Sequence, residues 1–266
     1  IHILCNFASK MKHKFLLLVV LSLIGTTYAK SDDMKIDSSK TLRLIYPQWQ
    51  GGVVANWMPD IPANDVSRGY FLGAHLLQIL APESKQRTVE VPISLDIESH
   101  KEEHGISGYR AIIEQSRAAL ELLREENPDR IVTLGGECSV SVVPFTYLAE
   151  KYPDDVAVVW IDAHPDLNLP GDSYTGYHAM ALTACFGMGD KKIVDILPAK
   201  LNPSKSIIVG LRAWGDTNAS KERQAELGVK SLLPIQVVQN STAVLDWLKT
   251  TGASKVVIHV DLDALD

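Results

Sequence analysis

The sequence predicts an α/β protein with a mainly parallel sheet, and three observations support that fold class. Apolar runs rich in β-branched residues, such as Val156–Ile161, are typical of strands buried on both faces of a sheet. Helical patterns alternate with these runs along the chain, as they do in parallel sheets. With 266 residues, 46% of them hydrophobic, the chain can bury one large core, and no repeat or linker divides it.

The elements follow from local patterns in chain order. Apolar runs predict strands at residues 42–46, 88–93, 130–134, 156–161, 206–211, a weaker one at 231–238, and 255–263. Apolar periodicity, caps and prolines predict helices at residues 67–80, 107–126, 139–151, 177–186, 220–227 and 242–250. Proline and glycine bound many of these elements: Pro47 ends the first strand, Gly228 stops a helix, and Pro234 interrupts the weaker strand.

Chemically active side chains follow three of the predicted strands. Asp162, His164 and Asp166 come at two-residue spacing after one strand, and Asp261 and Asp263 lie at the end of another. A third strand runs into a Gly-Gly-Glu-Cys turn that ends at Cys138. A single aspartate would be interpreted as a turn or a helix cap. The whole set predicts a divalent-metal site, because the carboxyl ends of parallel strands share one edge of the sheet.

These motifs resemble those of a known family. DAHPD at residues 162–166, DLDALD at 261–266 and GGEC at 135–138 are similar to the three metal motifs of the ureohydrolases, the arginase and agmatinase family. The resemblance extends from about residue 42 to residue 266. It implies a three-layer α/β/α sandwich and two Mn²⁺ ions, with Asp162 and Asp261 bridging them. The implied metal ligands are Cys138, Asp162, His164, Asp166, Asp261 and Asp263.

The resemblance also implies an activity and a homo-oligomer. An arginine-like guanidino compound would be cleaved at a C–N bond to urea and an amine, by a hydroxide that bridges the two metals. Asp166 would orient this hydroxide, and His178 would carry a proton to the leaving amine. Asn168 and Thr175 match residues that hydrogen-bond the α-carboxylate of arginine.

The sequence departs from the family pattern at Cys138, where the family usually has histidine. A thiolate suits Zn²⁺ better than Mn²⁺, so one of the two ions is expected to bind weakly or to be a softer metal. The segment 213–216, Ala-Trp-Gly-Asp, stands where arginases carry acids, and the loop before His178 is one residue shorter. His259 shares a face with Asp261 and is interpreted as a buried histidine whose ring nitrogens are hydrogen-bonded within the core. The alternative is that it hydrogen-bonds a metal ligand without touching the metal.

Two alternatives to arginase-like hydrolysis remain open. One is a sibling activity on agmatine, guanidinobutyrate or formiminoglutamate, as in agmatinases and formiminoglutamases. The other is a binding or assembly protein whose metal site is impaired at Cys138. The net charge of −6 gives no support to a nucleic-acid partner or an anionic membrane surface.

The N-terminal segment predicts export to the periplasm or outside the cell. Residues 11–29 combine a basic start, a short apolar core and small residues before Ala29, as signal peptides do. Residues 1–10 are interpreted as upstream non-native sequence, 30–41 as a flexible lead, and 42–266 as the ureohydrolase-like domain, truncated at its C-terminus. Cys138 and Cys185 are expected to be free thiols.

Overall fold

A computed structural model of the protein describes residues 38–83, 85–215 and 218–265. The predicted signal peptide, the ten residues before it and most of the predicted lead lie outside the described residues, as do Asp216 and Asp266. The described end of the lead forms a 3-10 turn, Ser38–Lys40, and Thr41 already belongs to the first strand.

The described residues form two parallel sheets. The strands are β1 Thr41–Tyr46, β2 Arg87–Glu90, β3 Arg130–Gly135, β4 Val156–Ile161, β5 Ser206–Val209, β6 Lys230–Leu232 and β7 Lys255–Val260. One sheet has the order β2-β1-β3 and the other the order β6-β5-β4-β7. Every strand pair is parallel, so the carboxyl ends within each sheet lie along a single edge.

Helices cover both faces of the larger sheet. The α-helices are Ala63–Ser67, Gly69–Leu80, Tyr109–Glu126, Val142–Lys151, Ala181–Cys185, Lys191–Val194, Ala219–Leu227, Pro234–Gln239 and Ala243–Thr251. Val158 and Trp160 on β4 pack into one apolar cluster, while Val159 and Ile161 pack into another on the opposite face. Alternate residues of one strand therefore serve two cores, which is the α/β/α layering that the sequence predicts.

The strand predicted at residues 231–238 is wrong beyond Leu232. The strand Lys230–Leu232 is followed at once by the helix Pro234–Gln239, with Pro234 at its first position. Proline has no N–H to donate to a neighbouring strand, and its fixed φ angle suits the first turn of a helix. The last predicted strand is also shorter than expected: β7 ends at Val260, and Leu262–Leu265 forms a 3-10 turn.

A groove separates the two sheets. The described strands pair β3 only with β1 and β7 only with β4, and residues of both line a cavity of about 1030 Å³. Apolar side chains are exposed there, including Val132 on β3 and Val256 and Ile258 on β7. Within the described ranges, no helix combines the length and apolar character needed to cross a membrane.

Candidate metal centre

The buried strand β4 places Asp162 at the sheet edge. All six residues of the strand are buried, and Asp162 directly follows them at 1% exposure. One carboxylate oxygen, Oδ1, accepts from the backbone N–H of His164 at 2.7 Å, and the other, Oδ2, accepts from Trp160 Nε1 at 3.1 Å. Burial raises the pKa of Asp162 to about 6, against the hydrogen bonds from His164, and the nearby Asp261 and Asp263 raise it further.

The neighbouring strand β7 brings two more carboxylates to this edge. Ile161 and Val260 are paired in register, and the N–H of Asp261 donates to the Ile161 carbonyl at 2.8 Å. The side chains of Asp261 and Asp263 contact different neighbours. Asp261 Oδ2 accepts from Cys138 Sγ at 3.2 Å, whereas Asp263 Oδ2 lies 2.9 Å from His164 Nδ1.

A buried glutamate holds the turn that carries Cys138. Glu137 is 3% exposed, and its carboxylate accepts from Gln48 Nε2 at 2.7 Å and from the N–H and hydroxyl of Ser139, each at 2.8 Å. This carboxylate caps the 3-10 helix Cys138–Ser141. Burial raises the pKa of Glu137, while the hydrogen bonds from Gln48 and Ser139 oppose the increase.

The same turn is pressed against the segment that follows β1. A Cβ on Gly136 would lie 1.8 Å from the carbonyl oxygen of Gln48, and a Cβ on Gly51 would lie 2.5 Å from Glu137 Oε1. Gln48 is also bonded to Gln115 Nε2 through its own Oε1, at 2.8 Å. Glycine is therefore required at both positions because backbone and carboxylate approach too closely for any side chain.

The ligand atoms of the site fall into two groups that share Asp162. Among the described residues, ligand atoms of Cys138, Asp162, His259 and Asp261 lie within 4.8 Å of one another, and so do those of Asp162, His164 and Asp263. The structure thus brings together five of the six predicted ligands. Two clusters of carboxylates with an imidazole or a thiol are chemically suited to two divalent cations.

Asp166, the sixth predicted ligand, lies close by but outside both groups. It is 5% exposed, and its Oδ2 is buried without a hydrogen-bond partner. Burial raises its pKa well above the usual range, and the charges of Asp162 and Asp261 raise it further. Two-residue spacing would place the side chains of Asp162, His164 and Asp166 on one side of an extended chain, but the φ of 49° at Asp166 shows that residues 162–166 are not an extended strand. A buried carboxylate oxygen without a hydrogen-bond partner, beside other carboxylates, is chemically suited to bind a cation.

The thiol of Cys138 is 7% exposed, and burial raises its pKa well above normal, with Asp166, Asp162 and Asp261 adding to the increase. A bound cation would reverse this effect and favour the thiolate. Cys138 and Cys185 are both free of disulfides, as the sequence predicts.

His178, the predicted proton carrier, lies beside Cys138. Its Nδ1 is 4.0 Å from Cys138 Sγ, and its Nε2 is 2.8 Å from the hydroxyl of Tyr174. Burial lowers the pKa of His178 to about 4, so the imidazole is neutral at neutral pH. Tyr174 was not singled out from the sequence, although its spacing of four residues from His178 was visible.

The two predicted carboxylate-binding residues are already engaged within the protein. Asn168 accepts a short hydrogen bond from the hydroxyl of Ser220 through its Oδ1. Thr175 Oγ1 lies 3.0 Å from the hydroxyl of Ser107, and its carbonyl accepts from the Ser107 N–H at 2.9 Å. These contacts fix the loop that leads to His178.

His259 is the functional candidate that sequence reasoning underrated. It is 6% exposed and stacks on Trp160 with 3.8 Å between ring centroids. Its Nδ1 lies 2.9 Å from the Ser141 hydroxyl, yet its Nε2 has no hydrogen-bond partner. The prediction of a fully satisfied core histidine is therefore wrong for one of the two ring nitrogens. Its spacing of two residues before Asp261 was the signal available.

Fold and site together define an α/β/α protein with a candidate two-ion metal centre at the carboxyl edge of its strands. The family model of the arginase family matches residues 80–266, and the chain belongs to that family. It is 27% identical over 192 residues to an arginase of Staphylococcus aureus, covering 67% of this chain and 61% of that protein. It is also 31% identical over 170 residues to an N(omega)-hydroxy-L-arginine amidinohydrolase of Streptomyces lavendulae, covering 61% of this chain and 58% of that one.

Among solved structures, arginase of Entamoeba histolytica in complex with L-ornithine is similar, with a TM-score of 0.65 and 17% identity over 85% of this chain and 75% of that one. This likeness confirms the predicted three-layer fold. The chain spans about three-fifths of the length of the curated relatives it matches.

Proposed function

We propose that the protein is a metal-dependent hydrolase that cleaves a C–N bond of an arginine-like guanidino compound to give urea and an amine. One observation carries the proposal. Carboxylates, two histidines and a thiol from the carboxyl-end regions of three strands form two ligand groups that share Asp162, in a chain of the arginase family. A shared carboxylate is the arrangement that holds two ions close enough to act on one water molecule.

The residues that would hold two divalent ions are Cys138, Asp162, His164, Asp166, Asp261 and Asp263. When bound, such ions lower the pKa of water towards neutrality and thereby supply the nucleophile that the poorly electrophilic guanidinium carbon needs. Mn²⁺ suits the group of Asp162, His164 and Asp263, whose donors are oxygen and nitrogen atoms.

Two side chains of the protein would orient the water and transfer the proton. The buried, unpartnered Oδ2 of Asp166 is free to accept a hydrogen bond from the attacking water and orient it. The neutral imidazole of His178, bonded to the Tyr174 hydroxyl, passes a proton to the departing amine nitrogen. In the balanced reaction, the oxygen of water joins the guanidinium carbon, the C–N bond breaks, and both protons of the water go to the amine nitrogen, which leaves as an ammonium group beside neutral urea.

The substrate class is proposed to be an amino acid or its close analogue. Asn168 and Thr175 would hydrogen-bond its α-carboxylate, from a loop that Ser107 and Ser220 hold in place. The named activities of two relatives, arginase and N(omega)-hydroxy-L-arginine amidinohydrolase, support this direction. A homo-oligomer is proposed on the resemblance to the family.

The experiment is a substrate panel with the protein as its gene encodes it, loaded with Mn²⁺, with Zn²⁺ or with both. Urea release is measured from L-arginine, N(omega)-hydroxy-L-arginine, agmatine and guanidinobutyrate, and formamide release from formiminoglutamate. We expect the highest kcat/KM with an α-amino acid substrate. Preference for agmatine or formiminoglutamate would replace the proposed substrate with a sibling's. Metal binding without hydrolysis of any compound would favour a binding or assembly protein.

We also propose export, on the composition of residues 11–29. Expression from Met11 in a secretion-competent host should give a mature protein that begins after Ala29. A mature N-terminus still at Met11 by mass spectrometry would overturn this proposal.

A further inference from the structure

An imidazole nitrogen without a partner lies beside the thiol of the candidate centre. His259 is buried on β7 between two neighbours that fix its ring: the indole of Trp160 stacks on it at 3.8 Å and 13°, and the hydroxyl of Ser141 is 2.9 Å from its Nδ1. The remaining nitrogen, Nε2, has no hydrogen-bond partner, and Asp162 Oδ2 lies 3.7 Å away, beyond hydrogen-bonding distance. Most buried polar atoms in folded proteins have a hydrogen-bond partner, so a buried nitrogen without one is a candidate for binding an ion.

The orphaned nitrogen belongs to a compact set of four donors. Ligand atoms of His259, Cys138, Asp162 and Asp261 lie within 4.8 Å of one another. Bond lengths of about 2.0–2.3 Å place the donors of a tetrahedral ion roughly 3.3–3.7 Å apart. The separations here are 3.2 Å between Cys138 Sγ and Asp261 Oδ2, and 3.7 Å between His259 Nε2 and Asp162 Oδ2. The remaining separations are at most 4.8 Å, so one ion among the four would require side-chain shifts of about an ångström.

We propose that His259 is a metal ligand, and that Cys138, Asp162, His259 and Asp261 form a four-donor site that selects Zn²⁺ over Mn²⁺. Thiolate and imidazole are the donors that Zn²⁺ prefers, and one of each with two carboxylates completes a tetrahedron. The contact between Nδ1 and Ser141 holds the ring in place, and in the tautomer whose Nδ1–H donates to the Ser141 hydroxyl, Nε2 presents its lone pair to the ion, as at metal-bound histidines with outer hydrogen bonds.

The consequence is a centre with two unlike ions. The group of Asp162, His164 and Asp263 offers no sulfur and keeps its suitability for a hard ion such as Mn²⁺. Asp162 belongs to both groups and would lie between the two ions. Cys138 and His259 then form a donor pair suited to Zn²⁺, so the thiol is part of a zinc site and does not impair a manganese site. This inference rests on the proposed metal centre and is independent of the substrate.

The test uses Co²⁺ as a spectroscopic substitute for Zn²⁺ in the metal-free protein as its gene encodes it. Wild type should bind one Co²⁺ with a thiolate-to-cobalt charge-transfer band and the intense visible bands of a tetrahedral ion. His259→Phe keeps a ring to stack on Trp160 but removes the nitrogen donor. It should lower Zn²⁺ affinity by at least roughly 100-fold and weaken the visible bands. The matched control, His75→Phe, replaces a histidine that lies outside both ligand groups and pairs with Glu90, and it should leave both properties of this site unchanged.

Unchanged Zn²⁺ affinity and an unchanged cobalt spectrum in a folded His259→Phe would overturn the proposal. Should that variant not fold, X-ray absorption at the zinc edge decides with a His164→Ala/His178→Ala double variant, which removes the other two histidines of the site. Imidazole scattering together with one sulfur supports His259 as a ligand, and its absence refutes it. Competition of Zn²⁺ against Mn²⁺ must also favour Zn²⁺ in wild type. A correct spectrum with no hydrolysis would refute the proposed function and leave this site standing.

Discussion

The close approach of the Gly136 turn to the Gln48 segment makes Gly136→Ala the most informative single change outside the ligands. The added methyl would lie 1.8 Å from a backbone carbonyl oxygen, whereas ordinary contact begins at 3.4 Å. A backbone atom cannot rotate aside, so the segments must separate by more than an ångström. That separation breaks the 2.7 Å hydrogen bond from Gln48 to the buried Glu137. Overpacking and the lost charged hydrogen bond together should lower the free energy of unfolding by about 4 kcal/mol.

Urea denaturation followed by circular dichroism measures this loss, and Co²⁺ binding reports the accompanying displacement of Cys138. Gly73→Ala is the control, because nothing lies within 4 Å of the added methyl and the position is inside a helix. It should stabilise the protein by about 0.5–1 kcal/mol. A loss below about 1 kcal/mol for Gly136→Ala, with an unchanged cobalt spectrum, would refute the role given to this contact.

Three further predictions follow from the site. Asp162→Ala should abolish the binding of both ions and the rise in Tm that metal produces, because Asp162 belongs to both ligand groups. The surface change Asp195→Ala is the control and should leave metal binding and Tm unchanged. Full metal content in Asp162→Ala would contradict the assignment of Asp162 as a shared ligand. Cys138→His should strengthen Mn²⁺ binding at the weaker position, measured by calorimetry; equal and tight binding of two Mn²⁺ by wild type would contradict the role of the thiol. Burial lowers the pKa of His178 from 6.5 in the unfolded chain to about 4 in the folded protein. Between these two pH values the unfolded chain binds more protons than the folded protein, so the free energy of unfolding falls as the pH falls. Between pH 7 and 5, metal-free wild type should therefore lose about 2 kcal/mol more stability than His178→Gln in urea denaturation, and equal losses would contradict a buried neutral imidazole.

The strands and the acidic motifs were predictable because their signals are local. The length and β-branched content of an apolar run such as Val156–Ile161 favour a buried strand, and the polar residues that follow such a strand lie at the sheet edge. The strand predicted at residues 231–238 fails at Pro234, because proline has no N–H for a strand ladder and its fixed φ angle suits the first turn of a helix.

The partners of the ligands were not predictable in the same way, because they come from distant parts of the chain. Gln48 contacts Glu137, 89 residues away, and His259 contacts Ser141, 118 residues away. Nothing in the local pattern of His259 distinguishes a nitrogen that is bonded from one that is not. Similarly, the left-handed backbone at Asp166 breaks the alternation that an extended chain would have, and only the folded loop reveals it.

The most direct test of metal-dependent hydrolysis at the shared carboxylate Asp162 compares the rate of urea release with the number of metal ions bound per protein. Metal-free protein, as its gene encodes it, receives one equivalent of Zn²⁺ and is then titrated with Mn²⁺, and urea release from L-arginine is recorded at each step beside the amount of bound metal. Urea release should remain near zero with one ion and rise in proportion to occupancy by the second. Full occupancy by two ions without release of urea would contradict the proposed hydrolysis, as would release that is independent of metal.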